Sequence, residues 1–292
     1  MMFKTRILAA LVAMVVAPGA ALAAGGGGHT TDVAFSFEGP FGTYDKHQLQ
    51  RGFQIYHKVC ASCHGLQYLA FRDLGRSDGP AFPEAQIKAI AAQYTIVDPD
   101  HEDGERPGLP SDLFPANNSA GAPDLTLMAK ARAGFHGPAG LMINQFFKGI
   151  GGPEYIYSIL TEYNDKEEEV AGSTLYGNDA MSGGYISMAP PLYDGADEDF
   201  DIVYAAFNAD GSEAEGKSDD EHHDDDHAYH APEPTHEQMA EDVSAFLMFA
   251  AEPAMTERKS AGLRNLLLIL LLAVLLYYTN KKLWAPIKRK DA

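Results

Sequence analysis

The pentapeptide Cys60-Ala-Ser-Cys63-His64 contains the only two cysteines of the chain. Two such thiols can form a redox dithiol, half of a zinc site or a disulfide. The disulfide is disfavoured between cysteines at this spacing in a helical stretch. A thioredoxin-like dithiol needs a βαβ setting, and structural zinc needs four ligands. The sequence shows neither a βαβ pattern nor a second cysteine pair. Because C-x-x-C-H is the attachment motif of c-type haem, we predict one covalent haem with His64 as proximal iron ligand.

The second axial ligand of the iron decides what such a site can do. A methionine raises the reduction potential, whereas an open position allows gas binding or catalysis. Met188 is favoured because the proline pair 190–191 stiffens the backbone behind it. Met181 is the next candidate, and His101 and His136 are weaker ones. The other methionines of the exported chain are expected in helix cores or beside the membrane: Met128, Met142, Met239, Met248 and Met255.

The motif follows a predicted helix that begins near Asp45. Leu49, Phe53 and Tyr56 recur at spacings of four and three, which places them on one helix face. This helix therefore presents Cys60 close to its carboxyl end.

Further helices are predicted along the chain. Their ranges are 84–94, a segment starting near Pro123, 140–152, 153–163 and 235–253, the last with a capping box formed by Thr235 and Gln238. Long loops are expected over 98–123 and 164–187, and no segment shows convincing strand alternation. The predicted fold class is mainly α.

Both ends of the chain carry membrane-targeting patterns. Residues 1–23 are typical of a secretory signal peptide cut before Ala24. Residues 262–280 are apolar enough to form a transmembrane anchor, and the basic tail 281–292 favours the cytoplasmic side. Residues 24–261 are then an exported haem domain, which in a bacterium lies in the periplasm.

The exported part is strongly acidic. The formal net charge of the chain is −19, and residues 24–263 carry −26, because the two ends hold eight of the 22 basic residues but one of the 41 acidic ones. This charge excludes nucleic acid as a partner. The segment 194–227 has fourteen acidic residues against Lys217. Its core, 210–227, either attracts a basic partner or is a disordered solvating loop, and its histidines also allow metal binding.

Seven segments in a fixed order extend the haem motif. They are VCASCHGL, RPGLPSDLFP, NNSAGAPDL, KARAG, GGPEYIYSILT, SMAPPLY and MAEDVSAFLMFAAEP, followed by one apolar helix and a basic tail. This ordered set resembles the cytochrome c1 family, and its bacterial members in particular. The family consists of the membrane-anchored haem subunits of cytochrome bc1 (ubiquinol–cytochrome c reductase) complexes.

The resemblance implies a class I cytochrome c-like helical haem domain with long loops and one C-terminal transmembrane helix. It implies that Cys60 and Cys63 bind haem c covalently and that His64 and Met188 are the axial ligands. It also points to Arg132 as the charge partner of a haem propionate, which agrees with the need of a buried carboxylate for a cation. Further haem contacts implied are Asn117 and Tyr155 at the haem edge and Pro123 against the ring.

The implied function is one-electron transfer in a respiratory or photosynthetic bc1 complex. The electron would come from the Rieske iron–sulfur protein and pass to a soluble or membrane-tethered c-type cytochrome in the periplasm. The other implied partner is cytochrome b, within a dimeric complex in the bacterial inner membrane. No bond chemistry, and so no general acid or base, is expected. The alternatives are another anchored c-type cytochrome and an enzyme with an open haem position.

Two features depart from the family pattern. Some bacterial members have an extra cysteine pair that forms a disulfide near the axial methionine. This chain has no such pair, so the loop 164–187 must be ordered in another way. The acidic segment 194–227 is also longer than in mitochondrial-type members.

Overall fold

The computed structural model describes residues 28–117, 119–134, 147–200, 202 and 234–288. The predicted signal peptide, the acidic core 210–227 and most of the predicted helix 140–152 lie outside these residues. In the part that is described, the fold is mainly helical, as predicted, and ends in one long apolar helix.

The described residues form seven helices, five strands and three 3₁₀ turns. The helices are α1 (Lys46–Lys58), α2 (Glu84–Ala92), α3 (Met128–Ala131), α4 (Gly152–Thr161), α5 (Ala196–Asp199), α6 (His236–Ala251) and α7 (Met255–Lys288). The strands are β1 (Thr95–Val97), β2 (Glu105–Pro107), β3 (Tyr163–Val170), β4 (Ser173–Asn178) and β5 (Tyr185–Ile186). Short 3₁₀ turns occur at Cys60–Ser62, Phe71–Gly75 and Ser119–Gly121.

Helix α1 confirms the prediction from apolar spacing. Asp45 caps its amino end, accepting a hydrogen bond from the backbone N–H of Gln48 at 2.8 Å. Leu49, Phe53 and Tyr56 are all buried. The helix ends at Lys58, so the chain enters the 3₁₀ turn that holds the first cysteine.

Helices α1 and α6 form the centre of the core. The ring of Phe53 meets the ring of Phe246 at a centroid distance of 5.5 Å in an edge-to-face arrangement. A Cβ at Gly52 would lie 2.0 Å from the carbonyl oxygen of Asp242, so only glycine permits this close approach. The two backbones therefore touch at one point, and aromatic rings fill the space beside it.

A buried ion pair also joins these two helices. Arg51 donates through Nε and Nη2 to the carboxylate of Asp242, at 2.7 and 2.9 Å. The arginine side chain is 7% exposed and the aspartate side chain 0%. Burial raises the pKa of the Asp242 carboxyl to about 6, although Arg51 acts in the opposite direction.

Helix α6 starts at the predicted cap, but half of the predicted capping box is wrong. The Thr235 hydroxyl accepts from the backbone N–H of Gln238 at 3.2 Å. The Gln238 side chain does not accept from the Thr235 N–H; instead, its Nε2 donates to the Asp242 carboxylate one turn further along the helix, at 3.0 Å. The helix ends at Ala251, two residues before Pro253.

The loop 164–187 contains a three-stranded antiparallel sheet, which the sequence did not predict. The order is β3-β4-β5, with Tyr163 opposite Asn178 and Val170 opposite Ser173. The buried Asn178 amide donates to the Ile159 carbonyl at 2.8 Å and ties the sheet to α4. Strand pairing thus orders this loop without a disulfide. A second short hairpin, β1–β2, lies at the edge of the predicted loop 98–123.

Two helix predictions are confirmed near their bounds and one is wrong. Helix α2 ends at Ala92, and α4 has Pro153 in its first turn, as predicted. The helix predicted from Pro123 is limited to the four residues of α3. The cause is the carboxylate of Asp124, which accepts from the Thr126 N–H at 2.9 Å and holds that segment in a turn.

Helix α7 is long and apolar enough to cross a membrane, and residues 255–285 meet this criterion. Its first turns are tied to the residues that precede α2. Lys259 Nζ donates to the Phe37 carbonyl at 2.5 Å, and Arg76 pairs with Glu257 at 3.2 Å. The Tyr44 hydroxyl donates to the Glu252 carbonyl at 3.1 Å, in the link between α6 and α7.

Candidate haem-attachment site

The two cysteines lie on one short turn. The backbone N–H groups of Cys63 and His64 donate to the Cys60 carbonyl at 3.1 and 2.9 Å, which closes the turn. Both thiols are free; Cys60 is half-buried and Cys63 exposed. Burial raises the pKa of the Cys60 thiol to about 12. The attacking thiol of a redox dithiol needs a lowered pKa, so the environment of Cys60 does not favour that role.

The ring of His64 is oriented by one hydrogen bond. Its Nδ1 lies 2.7 Å from the carbonyl oxygen of Pro123. A carbonyl only accepts, so Nδ1 carries the proton and Nε2 of the neutral ring presents a lone pair. Nε2 has no hydrogen-bond partner among the residues that the structure describes. This is the arrangement in which an imidazole binds a metal ion while its other nitrogen is held by the protein.

The chain after His64 runs beside the chain after Pro123. The Gly65 carbonyl accepts from the Leu125 N–H at 3.0 Å. A Cβ at Gly65 would lie 2.5 Å from the backbone nitrogen of Asn117, so glycine is required where these segments cross. His64 is therefore positioned by backbone packing between loops that are about sixty residues apart in sequence.

Asn117 fixes the cysteine turn. Its Nδ2 donates to the carbonyl oxygens of Ala61 and Ser62, at 2.9 and 3.1 Å. Its own carbonyl accepts from the Gly65 N–H at 3.0 Å. Both side-chain N–H groups are thus used by the turn, and a contact of Asn117 with the haem edge stays a prediction.

The two candidate axial methionines lie at different places in the sheet segment: Met181 lies between β4 and β5, and Met188 lies after β5. Met188 follows β5, is half-buried, and packs against the core; the Tyr163 hydroxyl donates to its carbonyl at 3.0 Å. Met181 instead accepts a contact from the Tyr155 hydroxyl to its sulfur at 3.7 Å. Met239 is buried in the core, as expected for a packing residue. Met255, which was expected beside the membrane, is also buried in the core. His101 is exposed, and His136 and Met142 lie outside the described part of the chain.

Arg132 lies just after α3, and its backbone N–H donates to the Met128 carbonyl at 3.2 Å. Its side chain is exposed. Its guanidinium has no hydrogen bond or ion pair to any residue in the described ranges. An unpaired guanidinium in this position is suited to an anionic group, and the propionate role stays a prediction.

These residues fit a c-type haem. The chain offers two free thiols at the spacing of the attachment motif, an imidazole with an available lone pair, a half-buried thioether and an unpaired cation. No cluster of three or more His, Cys, Asp or Glu side chains that could hold a metal ion occurs in the described ranges. A zinc site at these cysteines therefore has no support there.

Two contacts of the site were missed by sequence reasoning. The carboxylate of Asp124 accepts from the backbone N–H groups of Gln67 and Thr126. The Tyr56 hydroxyl, predicted only as core, donates to the His64 carbonyl at 3.1 Å. The D-x-T pattern at 124–126 is a turn signal that could have indicated the first contact. No sequence signal indicates the second.

Comparison with known proteins gives the same family over nearly the whole chain. The Cytochrome C1 family matches residues 35–209 and 219–287. A cytochrome c1 from Cereibacter sphaeroides is 45% identical over 99% of this chain and 98% of its own length. A cytochrome c1 from Rhodobacter capsulatus is 41% identical over 99% of this chain and its whole length.

A third relative is a longer protein. It is named cytochrome b/c1, from Bradyrhizobium diazoefficiens, and is 37% identical over 86% of this chain and 35% of its own length. The family match includes the cysteine turn and the Pro123 loop described above. The chain belongs to the cytochrome c1 family.

Proposed function

We propose that this chain is the haem-carrying electron-transfer subunit of a cytochrome bc1 complex, in a respiratory or photosynthetic chain. Membership of the cytochrome c1 family implies a c-type haem. The observation that carries the proposal for this chain is the His64 ring, held through Nδ1 beside two free thiols with its Nε2 available.

In this proposal each site residue has one role. Cys60 and Cys63 form the thioether links, and His64 and Met188 are the iron ligands. Arg132 pairs with a propionate. A c-type haem supplies a one-electron iron couple when it is bound. The secondary contacts proposed are Pro123 against the ring and Asn117 and Tyr155 at its edge.

The protein contributes orientation and electrostatics. The Pro123 carbonyl fixes the tautomer of His64 and increases the electron donation of its ring. A thioether ligand from Met188 favours the reduced iron and so a high potential. Electron transfer requires no proton donor or acceptor, so the chain needs no general acid or base of its own.

The proposed partners follow from the family. The Rieske iron–sulfur protein is the electron donor, and a soluble or tethered periplasmic c-type cytochrome is the acceptor. Cytochrome b is the membrane partner, within a dimeric complex. The Bradyrhizobium relative supports this, because its name joins a cytochrome b and a cytochrome c1 in one protein.

The proposed location is the bacterial inner membrane, with residues 24–261 in the periplasm after removal of 1–23. The apolar side chains of α7 are exposed along 266–276, as lipid or a membrane partner requires. Within α7, Lys281 and Lys282 follow the apolar stretch. Basic residues at this end favour the cytoplasmic side.

The proposal is tested on the full chain produced in a bacterium that attaches haem c. We expect a pyridine haemochrome of c type, no loss of haem in acidic acetone, and co-purification with a b-type haem subunit. Haem that is extracted by acidic acetone contradicts covalent attachment. Covalent haem without a b-type partner favours a separate anchored cytochrome, and carbon monoxide binding to the reduced protein favours an open-site enzyme.

The acidic core 210–227 lies outside the described residues, and we propose from its charge alone that it attracts a basic acceptor. Deleting 210–227 should flatten the salt dependence of acceptor reduction, because attraction between charged partners is screened by salt. An unchanged salt slope means that the segment only solvates the chain.

A further inference from the structure

We propose that Asp124 is a positioning residue for the proximal imidazole. Through its carboxylate it holds the Pro123 carbonyl against His64 and thereby helps to set the reduction potential. The inference rests on the proposed function, because a potential exists only when haem is bound.

One carboxylate joins the two segments that meet at His64. Its Oδ2 accepts from the Gln67 N–H at 2.8 Å, three residues after the histidine. Its Oδ1 accepts from the Thr126 N–H at 2.9 Å, three residues after the proline. Hydrogen bonds to an ionised acceptor are stronger than neutral ones, so Asp124 is a strong link between the segments.

The Pro123 carbonyl depends on this link. The Pro123 carbonyl shares its peptide unit with the Asp124 N–H, and this N–H donates to no residue in the described ranges. Besides Asp124, the two segments are joined by the Leu125 N–H to the Gly65 carbonyl at 3.0 Å. The Tyr68 N–H also reaches the Thr126 hydroxyl, at 3.3 Å, which is beyond the usual range for N–H···O bonds.

The chemical consequence has a definite sign. A firmly held acceptor at Nδ1 gives the imidazole more electron density to donate, which favours the ferric over the ferrous state. The negative charge of Asp124 acts in the same direction. Loss of the carboxylate should therefore raise the midpoint potential, and a control is needed to separate hydrogen bonding from charge.

The experiment compares Asp124→Ala and Asp124→Asn with Asp103→Asn in the full-length holoprotein. Asp103 is exposed, and its side chain has no hydrogen bond to any residue that the structure describes. Two quantities are measured: the midpoint potential by redox titration, and solvent exchange of the His64 ring N–H in the reduced protein by NMR.

Asp124→Ala should raise the potential and speed exchange of the ring N–H by about tenfold or more, the effect of losing hydrogen bonds to a charged acceptor. Asp124→Asn should fall between this variant and wild type, since an amide oxygen can still accept one of the two bonds. Asp103→Asn should leave the exchange rate unchanged.

The failures are distinguishable. Wild type without covalent haem overturns the proposed function and this inference with it. Wild type with haem, but equal exchange rates in all variants, overturns the positioning role alone. A rise in potential that Asp103→Asn reproduces means that charge is the whole effect, which also overturns it. If Asp124→Ala does not accumulate, Asp124→Asn decides by the same criteria.

Discussion

Helix α1 contributes to two regions that are held together by different means. At its centre it packs on α6, where Arg51 pairs with Asp242 and Phe53 meets Phe246. After its carboxyl end lies the cysteine turn. There the thiols are free and the backbone is held mainly by Asn117 and by the loop around Pro123.

The difference shows which region depends on a bound group. The contact between α1 and α6 pairs the Arg51 and Asp242 charges and buries its own rings, so its stability does not require a bound group. The cysteine turn presents an exposed Cys63, and the side chains proposed for the same haem include an Arg132 unpaired within the described residues and a half-buried Met188. In the proposed function these side chains contact a ligand, so variants there should change the bound haem more than the free energy of unfolding.

The largest expected effect is at the helix contact. Phe246→Ala removes a ring that is 0% exposed and meets both Phe53 and Tyr56. We expect a loss of about 4 kcal/mol in the free energy of unfolding, since large cavities in a core cost this much. Denaturant unfolding of the detergent-solubilised chain measures it.

The matched control is Phe41→Ala, because the Phe41 side chain is 74% exposed. It should change the unfolding free energy by less than about 0.5 kcal/mol. If Phe246→Ala behaves like this control, the α1–α6 contact is not the centre of stability.

The second prediction concerns the buried ion pair. Arg51→Met leaves the Asp242 carboxylate buried without its cation and should cost about 3 kcal/mol at pH 8. Burial already raises the Asp242 pKa to about 6, and loss of Arg51 raises it further. The protonated form is therefore favoured in the folded state, and the variant should become less stable as pH rises from about 4 to above 6.

Unfolding at pH 5 and pH 8 measures this dependence. Arg51→Met should lose less stability at pH 5, where Asp242 is protonated and no uncompensated charge is buried. An equal loss at both pH values contradicts the assigned cause. Asp103→Asn again provides a control for general charge effects.

The third prediction moves to the attachment site. Met188→Leu keeps the volume but removes the thioether, so the midpoint potential should fall by about 100 mV, or roughly 2 kcal/mol for one electron. Met181→Leu, the next candidate, should leave the potential close to wild type. The opposite result, with the fall in Met181→Leu, would assign the ligand to Met181.

The smallest expected effect is at Asn117. Asn117→Ala removes both hydrogen bonds to the cysteine turn, at Ala61 and Ser62. We expect a loss of about 1 kcal/mol in thermal unfolding of the holoprotein, since the net value of such bonds is small. Ser119→Ala removes one bond to the Asn117 oxygen and leaves the turn intact, so its effect should be smaller still.

Local patterns in the sequence were sufficient to predict the helices that bury an apolar face. The spacing of Leu49, Phe53 and Tyr56 predicted α1, and similar spacing predicted α6. The sheet β3–β5 was missed because β3, YNDKEEEV, is largely exposed and has no alternation of apolar residues. Pairing with β4 holds β3 in place, and the periodicity of one segment does not show which segment it pairs with.

The residue types of the site predict its chemistry, but they do not predict the contacts that hold it. The motif Cys60 to His64 predicts a haem attachment point from residue types alone. The hydrogen bond from His64 to Pro123 joins residues 59 positions apart, and no local pattern predicts such a contact. The role of Asp124 was missed for the same reason, since its partner Gln67 lies in the other segment.

The link between α6 and α7 has a consequence for electron delivery. Three residues separate Ala251 from Met255, and Tyr44, Lys259 and Arg76 tie both sides of this joint to the haem domain. These contacts oppose rotation of the domain against α7. In the proposed function the haem would therefore stay at a fixed distance from the membrane, and its electron donor and acceptor would have to approach it.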